Sequence, residues 1–229
     1  MQNPTSAVAL AGALLALPVA APVLAGEIDD AYLLLEVRTA VRQGWVPEAV
    51  PPRLVVLEDG RVFVGGTRSI AAGQLDKKEF KRLRKRVKKL QQRRDLGTSV
   101  SFGGATPRYR LRLFKGQRLD LVATGDPRQA PAALADVGRL MADLEAFNHP
   151  SLRPVRPDGY LVLAREEKLP GGCRGWNLGV ALADVLAGPR RVPTEQVVGW
   201  PTGAVSSSVC AGKRLVSVNF RPLLPGERP

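Results

Sequence analysis

Histidine occurs once in this 229-residue chain, as His149, and cysteine twice, as Cys173 and Cys210. A zinc centre takes about four Cys, His or carboxylate ligands, so the residue types for one are scarce. A Ser–His hydrolase needs a nucleophile beside a base. The single histidine stands between Asn148 and Pro150, where a polar helix-end cap is the plainer reading. Ser206-Ser207-Ser208 lacks the G-x-S-x-G turn that exposes a nucleophilic serine and reads as a polar loop. Acids are few and scattered, so spacing does not define a glycosidase pair such as Glu166 with Asp184. Gly65-Gly66 and Gly103-Gly104 match neither a P-loop nor a dinucleotide fingerprint. The chain is therefore read as non-catalytic, with no metal and no cofactor.

Charge is missing altogether from the first 25 residues. Ala7 to Ala25 is almost wholly Ala, Leu and Val, interrupted by Pro18 and Pro22, and ends Val23-Leu24-Ala25 before Gly26 and the acidic stretch Glu27-Ile28-Asp29-Asp30. That pattern predicts a signal peptide cleaved after Ala25 and a secreted or periplasmic protein. A spanning helix needs about 20 apolar residues with interfacial flanks, which two prolines and a small-residue ending do not supply. In an exported chain, Cys173 and Cys210 are expected to form a disulfide.

The charge that is present is unevenly placed. Lysine and arginine exceed the acids by 13, and between Lys77 and Arg94 eleven basic residues face one acid, Glu79. The segment predicts a helix: Asp76 as N-cap, Glu79 closing a capping box, Leu75 stapled on Phe80. Phe80, Leu83, Val87 and Leu90 lay a narrow apolar stripe along one side. Seven like-charge i,i+4 pairs, Lys81/Lys85 and Lys85/Lys89 among them, oppose that helix by roughly 1.5–3.5 kcal/mol at low salt. A buried Leu or Phe is worth about 2 kcal/mol, so the stripe offsets the repulsion once it is packed.

Around this helix the chain repeats a pattern. A strand over 31–38 and a Pro-rich loop from Trp45 precede a hairpin, 54–57 and 61–64 about Glu58-Asp59-Gly60. The loop from Gly65 to Gln74 then leads into the basic helix. Residues 108–114 and 118–122 form a second hairpin about Lys115-Gly116-Gln117, followed by a helix from Pro131 to Phe147. Its stripe, Leu134, Val137, Met141 and Leu144, repeats the first at an offset of 54 residues. The fold expected is α+β: an antiparallel sheet of hairpins with two helices on one face, from two ββα units, plus a smaller disulfide-linked C-terminal region. The boundaries are 1–25 for the leader, 26–150 for the α+β domain and 151–229 for the C-terminal region. Ser151 to Asp158 is its linker, 160–164 and 214–220 its strands, and Gly179 to Leu186 holds a short helical stretch. Trp176 and Trp200 are expected to pack around the disulfide, with a carbohydrate-stacking platform as the alternative.

Gln43-Gly44-Trp45-Val46-Pro47, Glu58-Asp59-Gly60-Arg61-Val62, Trp176-Asn177-Leu178 and the ending Arg221-Pro222-Leu223-Leu224-Pro225-Gly226-Glu227 resemble motifs of a group of secreted or surface-anchored bacterial proteins ending in R-P-L-L-P-D-E. The chain departs from that group at Trp45 and Gly226, and the resemblance implies export and a shared fold without a site. The strand, hairpin and helix order over 31–148 is also similar in pattern to emfourin-type metallopeptidase inhibitors.

Two functions follow as expectations. In the first, Lys78, Lys81, Arg82, Lys85, Arg86 and Lys89 bind an anionic lipid, lipopolysaccharide or wall polymer outside the cytoplasm. Nucleic acid is disfavoured, because no aromatic residues interleave with the basic run and no nucleic-acid module is recognised. In the second, the protein is an interaction module or peptidase inhibitor for a secreted protein, and the basic face is only solvated surface.

Overall fold

The computed structural model describes residues 33–40, 52–65, 69–166, 172–201, 207–212 and 214–224. The expected leader, the loop that begins at Trp45 and the chain end beyond Leu224 lie outside the described residues.

Eight strands form the larger sheet: β1 (Leu33–Ala40), β2 (Pro52–Leu57), β3 (Arg61–Gly65), β4 (Ile70–Gln74), β5 (Ser99–Ser101), β6 (Arg108–Leu113), β7 (Leu119–Thr124) and β8 (Arg153–Val155). Their spatial order is β5-β7-β6-β1-β2-β3-β4-β8, antiparallel throughout except for the β5–β7 pair. Both expected hairpins are present. Gly60 turns β2 into β3 at φ 86°, its N–H on the Leu57 carbonyl at 3.1 Å, and Gly116 turns β6 into β7 at φ 79°. Glycine takes that backbone region without the Cβ clash that other residues meet.

Helices α1 (Lys77–Gln91) and α2 (Ala135–Glu145) cover one face of this sheet. Leu35, Val37, Leu54, Val56, Leu111 and Leu121 of the strands meet Val87 and Leu90 of α1 and Val137, Met141 and Leu144 of α2. The repeated stripes thus serve a common core. The opposite face is split. Towards β2, β3 and β4 it is apolar, and Val55, Leu57, Phe63 and Ile70 cluster there with Leu224. Towards β1, β6 and β7 it is charged: Arg110 makes a two-pronged bond to Asp120 (2.8 and 2.6 Å), and Arg38 bonds Glu36.

Four segments differ from the sequence expectation, the first being β5, which pairs with β7 where no strand was expected. The loop before α1 contains β4, whose Ala71-Ala72-Gly73 has little strand preference of its own and is recruited by pairing with β3. The linker after His149 contains β8, which carries Pro154; proline is tolerated because β8 is an edge strand. Helix α2 begins at Ala135 and not at Pro131, since residues 132–134 form a 3-10 turn and Pro131 has no side-chain acceptor to cap an α-helix.

The C-terminal region is a second sheet of β9 (Gly159–Glu166), β10 (Arg190–Pro193), β11 (Ser207–Ala211) and β12 (Arg214–Pro222), in the order β10-β9-β12-β11, with the short helix α3 (Leu182–Ala187). Ser207 and Ser208, read from the sequence as loop, open β11. Cys173 and Cys210 form the expected disulfide, with Cα atoms 5.3 Å apart. Trp200 is buried against Phe220 (5.1 Å) and Trp176 (5.8 Å), inside the sheet's own core. Both cysteines are exposed, and the link between bridge and rings is Arg174, whose guanidinium lies 3.9 Å over Trp200. The indole N–H groups donate to Val180 and Asn177. Trp200 is therefore packed inside and Trp176 is half-buried against it, so the two rings do not lie open side by side as a sugar platform.

The bridge spans a sequence separation of 37. Closing a loop of that length restricts the unfolded chain by roughly 4 kcal/mol on the chain-entropy account. Replacing both cysteines by alanine should lower the unfolding free energy by about that amount in denaturant titrations, with β9 to β12 losing amide protection first.

Candidate functional site

The basic helix is fixed at both ends by side chains. At its start, the Asp76 carboxylate accepts the N–H groups of Lys78 and Glu79 (both 2.7 Å), and the Glu79 carboxylate accepts the Asp76 N–H at 3.0 Å. This is the capping box read from the sequence. His149 adds to it: Nε2 donates to Glu79 at 3.0 Å, Nδ1 accepts the Ser151 N–H at 3.2 Å, and the ring stacks on Phe147. The Ser151 hydroxyl accepts the Gln74 N–H and lies 2.7 Å from Nδ1 and 3.0 Å from the Gln74 carbonyl, the two acceptors for its proton. This Ser–His–carboxylate line is a clasp between α1, β4 and the chain after α2.

At the other end, Gln91 donates to the carbonyls of Lys115 and Gln117 (both 2.6 Å), tying α1 to the β6–β7 turn. Arg93 bonds Asp136 of α2 at 2.6 Å, the Ala133 carbonyl at 3.0 Å, and Asp95. The Asp95 hydrogen bond, foremost, pushes the Arg93 pKa up, and the same bond holds the Asp95 carboxyl below the usual carboxylate range.

Between these clamps the cations divide into three sets. Arg86, one of the six expected binding residues, faces α2 and pairs with Asp143 at 2.7 Å. Both groups are solvent-exposed, and such a pair is worth at most about 1 kcal/mol. Lys78 and Arg82 are exposed on the outer side, Lys89 is exposed beside Arg86 on the flank towards α2, and no described acid lies within ion-pair distance of these three. Lys81 and Lys85, equally without an acid partner among the described residues, line the remaining flank together with Lys77, Arg84 and Lys88.

That flank is one wall of a groove of about 750 Å³ between α1 and the β6–β7 turn. Leu34, Phe80 and Val87 supply its floor. Lys115 stands on the far wall, its ammonium 2.8 Å from Glu58, and Arg84 lays its guanidinium 5.7 Å over the Phe80 ring. The sequence pointed to the basic run without separating its flanks. Lys77, Arg84 and Lys88 belong to the run, whereas Lys115 enters through the second hairpin.

The residues weighed for catalysis do not gather here. Glu166 ends β9 and Asp184 sits in the first turn of α3, both exposed. Among the described residues, no three His, Cys, Asp or Glu side chains are grouped as metal ligands, and no helix is long and apolar enough to cross a membrane. No family model matches the chain, and no curated protein or solved structure matches it.

The Asp76 carboxyl is held below its ordinary range, first by the Glu79 N–H. Its folded pKa lies under its unfolded one, so its contribution is complete above the ordinary carboxylate range and is lost as pH falls through the folded value. Acid titration followed by helical circular dichroism should therefore show Asp76→Asn, which keeps a good N-cap acceptor, less acid-sensitive than the wild type. Asp76→Ala should be less stable than both at neutral pH.

Proposed function

We propose that this is an exported, non-catalytic binding protein that engages anionic surfaces or polymers through α1. One observation carries the reading: Lys78, Lys81, Arg82, Lys85, Lys88 and Lys89 are exposed on one rigid element with no described acid in ion-pair contact. Mutual repulsion along α1 is thus offset by packing and clamps and only at Arg86 by a counter-charge. An external polyanion removes that repulsion on binding. Its candidates are anionic lipid, lipopolysaccharide and acidic wall polymer, met outside the cytoplasm after cleavage behind Ala25. The Cys173–Cys210 bridge supports an oxidising compartment.

A secreted protein partner is the competing reading, and one feature favours it. Strand β10 forms an edge of the second sheet, and Val198, a few residues on, is 79% exposed. On that reading the protein is an interaction module or peptidase inhibitor, and α1 takes no part.

Sedimentation with vesicles rich in phosphatidylglycerol separates the two. Binding should weaken as salt shortens the screening length to about 8 Å at 0.15 M. Lys81→Gln/Lys85→Gln/Lys89→Gln should cost roughly 1 kcal/mol per charge, on the order of 100-fold in all. Binding that ignores both salt and the triple substitution would rule α1 out.

A further inference from the structure

The groove beside α1 does more than a cationic strip requires. A flat polyanion is met equally well by a convex row of ammonium groups, and a recess with a carbon floor adds nothing to that contact. At about 750 Å³ it is the size of small-molecule sites, which are mostly apolar with a few placed polar groups. Half-buried Phe80 supplies the open part of the floor, and Leu34 and Val87 lie almost fully buried beneath. Long cationic side chains such as Lys81, Lys85 and Lys88 lay their methylene stems along apolar surface and keep the ammonium in water, so the flank is greasy below and charged above. Of the other polar groups, Gln91 is committed to two carbonyls, Lys115 to Glu58 and Arg84 to the Phe80 ring, while Gln92 and Gln117 offer only neutral amides. The charges that remain for a ligand are ammonium point charges, which suit phosphate.

We propose that this groove takes one aliphatic chain of an anionic lipid, with the lipid phosphate held at the rim by Lys81, Lys85 and Lys88. The assignment rests on the reading of α1 as an anion-binding helix and adds a requirement for an alkyl chain. A wall polymer without apolar parts would leave Phe80 and the lysine stems in water, and the burial of methylenes is what discriminates between the two.

Dodecyl phosphate, kept below the concentration at which it forms micelles, and methyl phosphate are titrated into the purified protein by calorimetry. Retention on immobilised polyphosphate reports α1 without any chain. The dodecyl ester should bind at least about tenfold more tightly. Gln117→Trp, which places an indole on the far wall, should erase that ratio and leave polyphosphate retention unchanged. Lys78→Gln/Arg82→Gln/Lys89→Gln, at positions that do not line the groove, should weaken retention and keep the ratio. Equal affinity for the two esters with normal retention overturns the groove proposal and leaves the α1 reading standing; loss of both effects overturns both. A ratio that survives Gln117→Trp overturns the proposal. So does a ratio that emerges only after Glu27→Gln/Asp29→Asn/Asp30→Asn, which would mean that the chain's own acidic segment fills the groove.

Discussion

The seam between α1 and the sheet is the constraint on which the site depends. A helix with so many like charges gains little from its own sequence; isolated, it would be opposed by its i,i+4 pairs and by the cost of nucleation. It is held instead by Phe80, Leu83, Val87 and Leu90 against the strands, and by polar clamps at its two ends. The clamps are made by Asp76, Glu79 and His149 at the start and by Gln91 and Arg93 at the finish, outside the run of free ammonium groups. Stability and display are thus separated along one helix. Its ends and its stripe hold it in place, and its outer faces remain available.

The protein's own acids reinforce this division. Asp136 and Asp143 both belong to α2, and they meet Arg86 of α1 and Arg93 just beyond its end from that side. Among the described residues, the side that faces the β6–β7 turn has no such partner. Glu58, the acid nearest that turn in ion-pair contact, is engaged by Lys115. The result is an asymmetric helix, neutralised towards its neighbour helix and left positive towards the groove. Asymmetry of this kind cannot be read from net charge, since the same residues spread around the cylinder would give the same total.

How much of this the sequence makes legible follows from how local each feature is. The capping box, the stripe and both hairpin turns depend on residues a few positions apart, and each is where the pattern places it. The disulfide follows from an even cysteine count once the chain is expected to be exported. Strands β4, β5 and β8 are illegible for the opposite reason: Ala71-Ala72-Gly73, Ser99-Val100-Ser101 and Arg153-Pro154-Val155 have weak strand character and exist because a neighbour offers an open edge. The groove is illegible too, because its two walls lie on α1 and on the turn of the second hairpin, joined through Gln91. His149 shows the middle case. A polar role near a helix end is readable from its position, but its partner Glu79 sits at the start of the other helix.

These arrangements bear on the blander account of α1, a charged face that merely keeps the protein in solution. Solubility is served by charges of both signs interspersed over the surface, and acids serve it better than lysines. It does not call for cations crowded on a single helix at a repulsive cost, nor for clamping that helix rigidly at both ends. Nor does it account for an apolar recess directly beneath the ammonium groups, where water gains nothing by being held. A surface that recognises something both anionic and greasy accounts for the crowding, the rigidity and the recess together, because recognition requires charges in fixed positions and a place for carbon to be buried.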